Sequence, residues 1–186
     1  MTQYEEQKSI PDIVAYGKML TGGYLTMAAT LTNKKIYDSF LGKFNDWRHL
    51  FHGHTYTGNP IAAAVANENL KMYKKSNLIK KIQKTSQTFE KFYDEISELD
   101  IVGDIRHKGM LMGIELDKDK SKKIPIAPKK SINKIFFEEG KKNGIYLRTL
   151  GNIVMLVPPL AISESELNLL LKRTISTIKS AKSKVV

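Results

Sequence analysis

The sequence predicts a mixed α/β chain in which the end of a larger α/β domain is followed by a compact α+β domain. Three observations predict it. Apolar runs of strand length alternate with longer runs of helical period. A helix rich in small residues opens at Asn59-Pro60, and small side chains on a helix serve close packing against neighbours. A capping box, Ser163-x-x-Glu166, starts a long closing helix with a single apolar stripe. The two domains are expected over residues 1–75 and 76–186.

The elements follow in order. Residues 12–16 read as a short apolar strand that runs into the loop Gly17-Lys18-Met19-Leu20-Thr21-Gly22-Gly23. Residues 24–31 read as a second, buried strand and 34–40 as a short helix. A polar, aromatic loop covers 46–58. Asn59 can cap the free amides of the next helix, and Pro60 fits its first turn, where the missing N–H costs nothing. That helix, over 61–73, begins with Ala62, Ala63, Ala64 and Ala66, and is expected to be buried. Strands of a parallel sheet are covered on both faces, and this stretch offers too few strands to cover one another. The first 75 or so residues therefore read as incomplete.

From Leu78 the pattern changes. Leu78, Ile82, Phe89, Phe92, Tyr93 and Ile96 recur near helical spacing and predict one amphipathic helix. Residues 101–106 and 110–116 read as paired strands, and a short lysine-rich loop spans 117–130. A helix over 131–143 ends at Gly144, the usual left-handed stop. Strands at 145–148 and 153–157 flank the turn Leu150-Gly151-Asn152. Leu167, Leu170, Leu171, Ile175 and Ile178 form the stripe of the last helix, and its terminal lysines suit a helix C-terminus.

Composition narrows the function. Of 186 residues, 41% are hydrophobic and 26% charged, an ordinary globular balance. There is no cysteine, so disulfides, thiolate ligands and thiolate nucleophiles are excluded. No apolar run approaches the roughly 20 residues that span a bilayer, and the first 13 residues are too polar for a secretory core. A soluble cytoplasmic protein with no membrane partner is expected. The 30 basic and 19 acidic residues leave a net charge of +11. The basic residues are mostly scattered lysines, with four arginines at 48, 106, 148 and 173. Nucleic-acid recognition favours arginine's planar fork, so no nucleic-acid partner is expected.

Three places can carry chemistry. Lys18 follows a strand end, where α/β folds bind ligands. Desolvation there would lower its pKa from about 10.4 and free the amine as a nucleophile; the plain alternative is a surface lysine in a turn. The second place is His49-x-x-His52-x-His54-Thr55. His52 and His54 are two apart on an extended segment and face one way, which suits zinc. No cysteine is available and no carboxylate lies nearby at ligand spacing, so no metal is expected. The same stretch, Gly53-His54-Thr55-Tyr56-Thr57-Gly58-Asn59-Pro60, places hydroxyls and exposed amides before a helix N-terminus, a good phosphate seat. It reads equally as a capping loop. The third place is Arg148, the charge near the middle of an apolar stretch from 145 to 160. Its guanidinium needs a carboxylate, from the protein as a structural ion pair or from a substrate.

Taken together, these stretches are recognisable. Pro11-Asp12-Ile13-Val14-Ala15-Tyr16-Gly17-Lys18-Met19-Leu20-Thr21-Gly22-Gly23-Tyr24 closely resembles the lysine segment of the class III pyridoxal-phosphate aminotransferases. Phe51-His52-Gly53-His54-Thr55-Tyr56-Thr57-Gly58-Asn59-Pro60-Ile61-Ala62 resembles the second signature of that family. The strand with Arg148, followed by Val157-Pro158-Pro159-Leu160, is similar to its C-terminal domain. The resemblance implies the C-terminal part of a fold-type I transferase, the end of the large cofactor-binding domain plus the small α+β domain. It implies pyridoxal 5'-phosphate as cofactor and small-molecule substrates. Lys18 then matches the lysine that condenses with the cofactor and shuttles a proton. Thr55 matches the threonine that holds the cofactor phosphate, offered across a homodimer interface, with Gly53 and His54 lining the same entrance. Arg148 matches the arginine that pairs with the substrate carboxylate.

Within the class, the versions at 20–26 and 52–60 are most similar to the branch serving biotin synthesis, which implies S-adenosylmethionine as amino donor. Another ω-amino acid or diamine aminotransferase and an inactive dimerising remnant are the alternatives. Family members carry most of the large domain ahead of the lysine, whereas here 17 residues precede it. The carboxylate for the pyridinium nitrogen, the ring-stacking aromatic and the glycine–serine phosphate loop would lie in that earlier part. The expectation is the C-terminal portion of a split or truncated gene, inactive without a separate N-terminal half.

Overall fold

The computed structural model describes residues 10–127 and 131–185. The polar opening residues 1–9, the end of the lysine-rich loop at 128–130 and residue 186 lie outside it. The chain falls into two compact units, Met1–Ile79 and Lys80–Val186.

The first unit begins with β1 (Ile13–Tyr16), which pairs antiparallel with β2 (Ala29–Thr32) in the register Ile13↔Thr32 to Tyr16↔Ala29. Between them lies a 3-10 turn over Lys18–Leu20 and the left-handed glycines Gly22 and Gly23. A short helix, α1 (Lys34–Ser39), is capped by Asn33, whose side chain accepts from the Ile36 amide. Past a stretch of aromatic loop comes α2 (Pro60–Lys75).

Two expectations are corrected here. The second strand is shorter and later than residues 24–31, and it is exposed rather than buried. The two strands also form an antiparallel ribbon, not neighbours in a parallel sheet. Among the described residues each has only the other as partner, so no second layer covers either face. Helix α2 is likewise mostly exposed. Only Ala62 and Ala66 are buried, while Ile61 and Met72 are 68% and 61% exposed.

The second unit is a two-layer α+β fold. Helix α3 (Leu78–Glu90) leads into it and is followed by the single-turn α4 (Tyr93–Ser97). The one long helix expected to Ile96 is thus broken. Phe92 leaves helical geometry (φ −105, ψ 0) and donates its amide to Phe89 O at 3.1 Å, a tighter turn that leaves Phe89, Phe92 and Ile96 all buried. No glycine or proline marks the break.

Four antiparallel strands follow in the spatial order β3-β4-β7-β6: β3 (Val102–Lys108), β4 (Leu111–Asp119), β7 (Ile153–Leu156) and β6 (Arg148–Leu150). The two-residue β5 (Ile124–Pro125), unheralded in the sequence, pairs with β4 from the lysine-rich loop. On β4, Met112, Ile114 and Leu116 are fully buried while Leu111, Gly113 and Glu115 are not, the period of two expected of a half-covered sheet. Val154, Leu156 and Thr149 continue that inner face. Strand β6 starts three residues later than expected.

Helices α5 (Ile132–Lys142) and α6 (Glu164–Val185) share the core through Phe136, Leu167, Leu171 and Ile178. The capping box forms as read: Ser163 Oγ accepts the Glu166 amide at 3.2 Å, and Glu166 Oε2 accepts the Ser163 amide at 2.9 Å. Gly144 stops α5 in the left-handed region (φ +70), and Arg173 Nη1 donates to its carbonyl at 2.8 Å. No helix among the described residues is long and apolar enough to cross a membrane.

Two side chains hold this unit in a pH- and shape-sensitive way. Glu139 of α5 is 5% exposed and accepts from Lys142 at 2.7 Å and from Lys184 of α6. These lysines lower its pKa from 4.5 to about 2. Its contribution to stability is therefore complete above pH 4.5 and is lost as pH falls toward 2. Lys182 and Lys91 likewise lower the pKa of Asp100 and Glu164, so the Glu139 share is read as a difference from the wild type. Acid unfolding followed by circular dichroism is expected to show a smaller loss of stability between pH 4.5 and 2 in Glu139→Gln than in the wild type.

Gly103 sits at a bulge in β3, beneath the buried carboxyl of Asp117. Burial pushes that carboxyl above the usual carboxylate range, with the Glu115 charge adding to it. A Cβ at position 103 would lie 2.5 Å from Asp117 Cγ. Gly103→Ala is expected to destabilise the second unit by about 1–3 kcal/mol, the usual cost of overpacking, measurable by urea denaturation.

Candidate functional site

Lys18 directly follows β1 and Gly17 and stands at the start of the 3-10 turn. Its φ of +44 is left-handed, a conformation few non-glycine residues adopt. The side chain is exposed and forms no ion pair among the described residues. Among the described residues nothing supplies the expected burial of this lysine, because nothing in the thin β1–β2 ribbon covers it. The turn itself is well tied. Leu20 N donates to Gly17 O at 3.1 Å and Gly22 N to Met19 O at 3.3 Å, and the hydroxyl of the buried Thr21 donates to Leu25 O.

Helix α2 holds the turn from outside. Asn69 Nδ2 donates to Met19 O at 2.7 Å and to Leu20 O at 3.1 Å, and Tyr73 Oη donates to Met19 O at 3.0 Å. Neither residue was marked by the sequence motifs. Their spacing of four, in phase with Ala62 and Ala66, was the available signal, since residues three or four apart share a helix face.

Gly53, His54 and Thr55 share one exposed loop of the same unit. The His54 amide donates to Thr57 Oγ1 at 3.0 Å, and His54 Nδ1 accepts the Tyr56 amide at 3.1 Å, which leaves the ring proton on Nε2 when the imidazole is neutral. The Thr55 hydroxyl makes no hydrogen bond among the described residues. It borders an open hollow of about 290 Å³ that runs along residues 55–61 to the start of α2. The amides there are not all free, as the phosphate-seat reading supposed: Asn59 Oδ1 accepts from Ile61 N at 2.9 Å and Ala62 N at 3.3 Å. An anion in this loop would rely on the Thr55 hydroxyl and the helix dipole rather than on those two amides. His49 and His52 lie in the same loop region, and no three histidine, aspartate or glutamate side chains among the described residues are grouped to hold a metal ion.

Arg148 belongs to the second unit, where it opens the edge strand β6. Its flanking residues Leu147 and Thr149 point into the core, so Arg148 projects from the outer face of the sheet and is exposed rather than stranded inside apolar packing. It forms no ion pair among the described residues. Tyr146, Leu150, Met155 and Val157 surround it in a hollow of about 410 Å³. A guanidinium with an apolar surround and no protein carboxylate is suited to a carboxylate on an apolar ligand. Among the described residues no carboxylate supplies the structural ion pair that the sequence left open.

Residues 3–178 match the family Aminotransferase class-III. The chain belongs to that family. It is 44% identical over 179 residues to an adenosylmethionine-8-amino-7-oxononanoate aminotransferase of Methanocaldococcus jannaschii, covering 95% of this chain and 39% of that protein. A Staphylococcus aureus protein of the same name is 43% identical over 162 residues, covering 87% of this chain and 35% of its own length. The solved structure of the M. jannaschii enzyme superposes with a TM-score of 0.87 at 42% identity, over 95% of this chain and 40% of that one. An ω-transaminase from Pseudomonas jessenii, solved in complex with PMP, superposes with a TM-score of 0.89 at 26% identity, over 98% and 40% of the two chains. This class-III chain therefore shares the mixed helix–sheet fold of the class and spans about 40% of the length of the relatives it matches. Class-III aminotransferases use pyridoxal phosphate and act on small molecules.

The cap at the start of α2 is open to a direct check. Asn59→Ala leaves the Ile61 and Ala62 amides without their acceptor and is expected to cost about 1 kcal/mol, read as a lower denaturation midpoint.

Proposed function

We propose that this chain is the C-terminal portion of an aminotransferase that moves the amino group of S-adenosylmethionine to 8-amino-7-oxononanoate, giving 7,8-diaminononanoate in biotin synthesis. The observation that carries the reading is the 44% identity to a relative of that name over 95% of the chain. In this reading the first unit is the end of the cofactor-binding large domain and the second is the small domain. The complete assembly is a homodimer, or a complex with a separate N-terminal half, in the cytoplasm.

The residues present suit pyridoxal phosphate, for among the described residues Lys18 offers an unpaired amine for its aldehyde, Thr55 an unbonded hydroxyl for its phosphate, and Arg148 an unpaired guanidinium for a substrate carboxylate. When bound, the cofactor supplies a carbonyl carbon that takes up and releases the amino group and a ring that accepts electrons from the substrate carbon. Lys18 Nζ would hold the group's aldehyde carbon and would take and return the proton of the substrate carbon. Its left-handed backbone sets the direction in which the amine leaves the turn. Thr55 Oγ1 would donate to the phosphate, with His54 and Gly53 lining the entrance. Arg148 grips the carboxylate end of the acceptor, and Tyr146, Leu150 and Val157 exclude water beside its aliphatic chain. A second element must cover Lys18 to dry its amine, and the exposed faces of β1, β2 and α2 are the surfaces where the remainder of the large domain would rest.

The test is an assay for 7,8-diaminononanoate. The 186-residue chain alone is expected to form none at a measurable rate, and addition of a polypeptide carrying the preceding part of the enzyme restores it. In the restored complex Lys18→Ala lowers kcat by about 10²–10⁴-fold, whereas Arg148→Ala raises KM for the keto acceptor by about 10–100-fold, the loss of a charged hydrogen bond. Normal turnover by the chain alone overturns the split. Product from a simple diamine but not from S-adenosylmethionine assigns the chain to another ω-amino acid or diamine branch. An unlabelled Lys18 after borohydride reduction with pyridoxal phosphate supports an inactive dimerising remnant.

A further inference from the structure

We propose that Asn69 and Tyr73 are positioning residues for Lys18, acting through the backbone of the turn that carries it. The inference rests on the reading of Lys18 as the amine that meets the cofactor.

A lysine at φ +44 is strained by an amount of order 1–3 kcal/mol, and such strain persists only where the surroundings over-determine it. The turn's own hydrogen bonds, including that of the buried Thr21, are all short-range, within four residues. The long-range restraint comes from α2. Asn69 and Tyr73 lie four residues apart, and with Ala62 and Ala66 they form one stripe along the helix. The two alanines are buried and let the helix come close; the two polar residues sit at the end of the stripe, where the turn begins. Three donors then converge on a single atom. Met19 O accepts from Asn69 Nδ2 at 2.7 Å, from Tyr73 Oη at 3.0 Å and from Gly22 N at 3.3 Å.

The Asn69 amide spans the whole turn. Its nitrogen also reaches Leu20 O at 3.1 Å, and its oxygen faces Gly22, where a Cβ would stand 3.2 Å away. Gly22 is itself left-handed (φ +62). The side chain is therefore wedged between the two ends of the turn. Met19 O belongs to the Met19–Leu20 peptide and Leu20 O to the one after it, so the two contacts fix consecutive peptide planes just past Lys18 and restrain the turn that residue 18 opens. The phase of α2, set by the Asn59-Pro60 start, is what brings Asn69 and Tyr73 to this carbonyl. The same helix that opens at the Thr55 loop thus determines where the Lys18 amine stands.

The test is borohydride reduction with pyridoxal phosphate of the complex restored by the preceding part of the enzyme, followed by peptide mapping, with the exposed Lys35 and Lys80 as internal references. In the wild type the label is expected at Lys18 well above its level at Lys35 or Lys80. Asn69→Leu and Asn69→Asp, which remove the donor, lower the Lys18 label by about tenfold and leave Lys35 and Lys80 unchanged. Asn69→Gln, which keeps an amide donor, restores part of it. Tyr73→Phe, which removes one oxygen, lowers it by about threefold and decides the matter if the Asn69 variants fail to fold. Preferential labelling of Lys18 that these variants leave unaltered overturns the inference while sparing the reading of Lys18. Equal loss at all three lysines also overturns it, because the effect is then on folding alone. Absence of preferential labelling in the wild type overturns the reading of Lys18 itself.

Discussion

Burial on one face of β4 organises the second unit. Met112, Ile114 and Leu116 alternate into the core, and the strand pairs with β3, β7 and β5. A shift of register by one residue would turn all three out to water and point Leu111, Gly113 and Glu115 inward, so the hydrophobic pattern admits a single pairing. That pairing in turn fixes β7 and, beyond it, β6, which is why Arg148 emerges on the outer face while Thr149 beneath it packs inward. The position of the guanidinium is a consequence of apolar burial two strands away. The Thr149 hydroxyl, buried without a hydrogen-bond partner, is the cost of that arrangement.

The first unit is built on a different balance. Its buried apolar side chains are Ala62 and Ala66 alone among the described residues, so polar contacts do the work that packing does elsewhere. The Asn59 cap, the Asn33 cap with its bond to Asp12, and the Asn69–Tyr73 contacts to the lysine turn are side-chain hydrogen bonds that order the backbone locally. Such bonds are individually modest. They specify geometry more than they supply stability.

What was legible in the sequence follows from how local each signal is. The Ser163–Glu166 capping box, the Gly144 stop and the Asn59-Pro60 helix start are contained within a few residues, and each forms as read. The break after Glu90 was hidden because both segments keep helical spacing and the turn at Phe92 needs no special residue. Strand β2 was read too early and as buried because Tyr24 and Leu25 look like core residues in isolation; burial is a property of neighbours, and Tyr24 is 85% exposed here. Lys18, the Thr55 loop and Arg148 were legible from local chemistry: a lysine after a strand end, hydroxyls before a helix start and a charge in an apolar stretch. They received their proposed roles from the resemblance, while Asn69 and Tyr73, about fifty residues from the turn they touch, carry no motif. Whether a carboxylate lies beside Arg148 is set by tertiary neighbours, and no local pattern encodes it.

The aromatic loop of the first unit has an optical consequence. Trp47 is the chain's single tryptophan, held at φ +53 with its ring stacked against His49 and Phe51 at centroid distances of 6.1 and 5.9 Å. The indole is 71% exposed. Its fluorescence therefore comes from one wet spot, and a blue shift of the emission would report the moment another surface settles over this loop, without any dye.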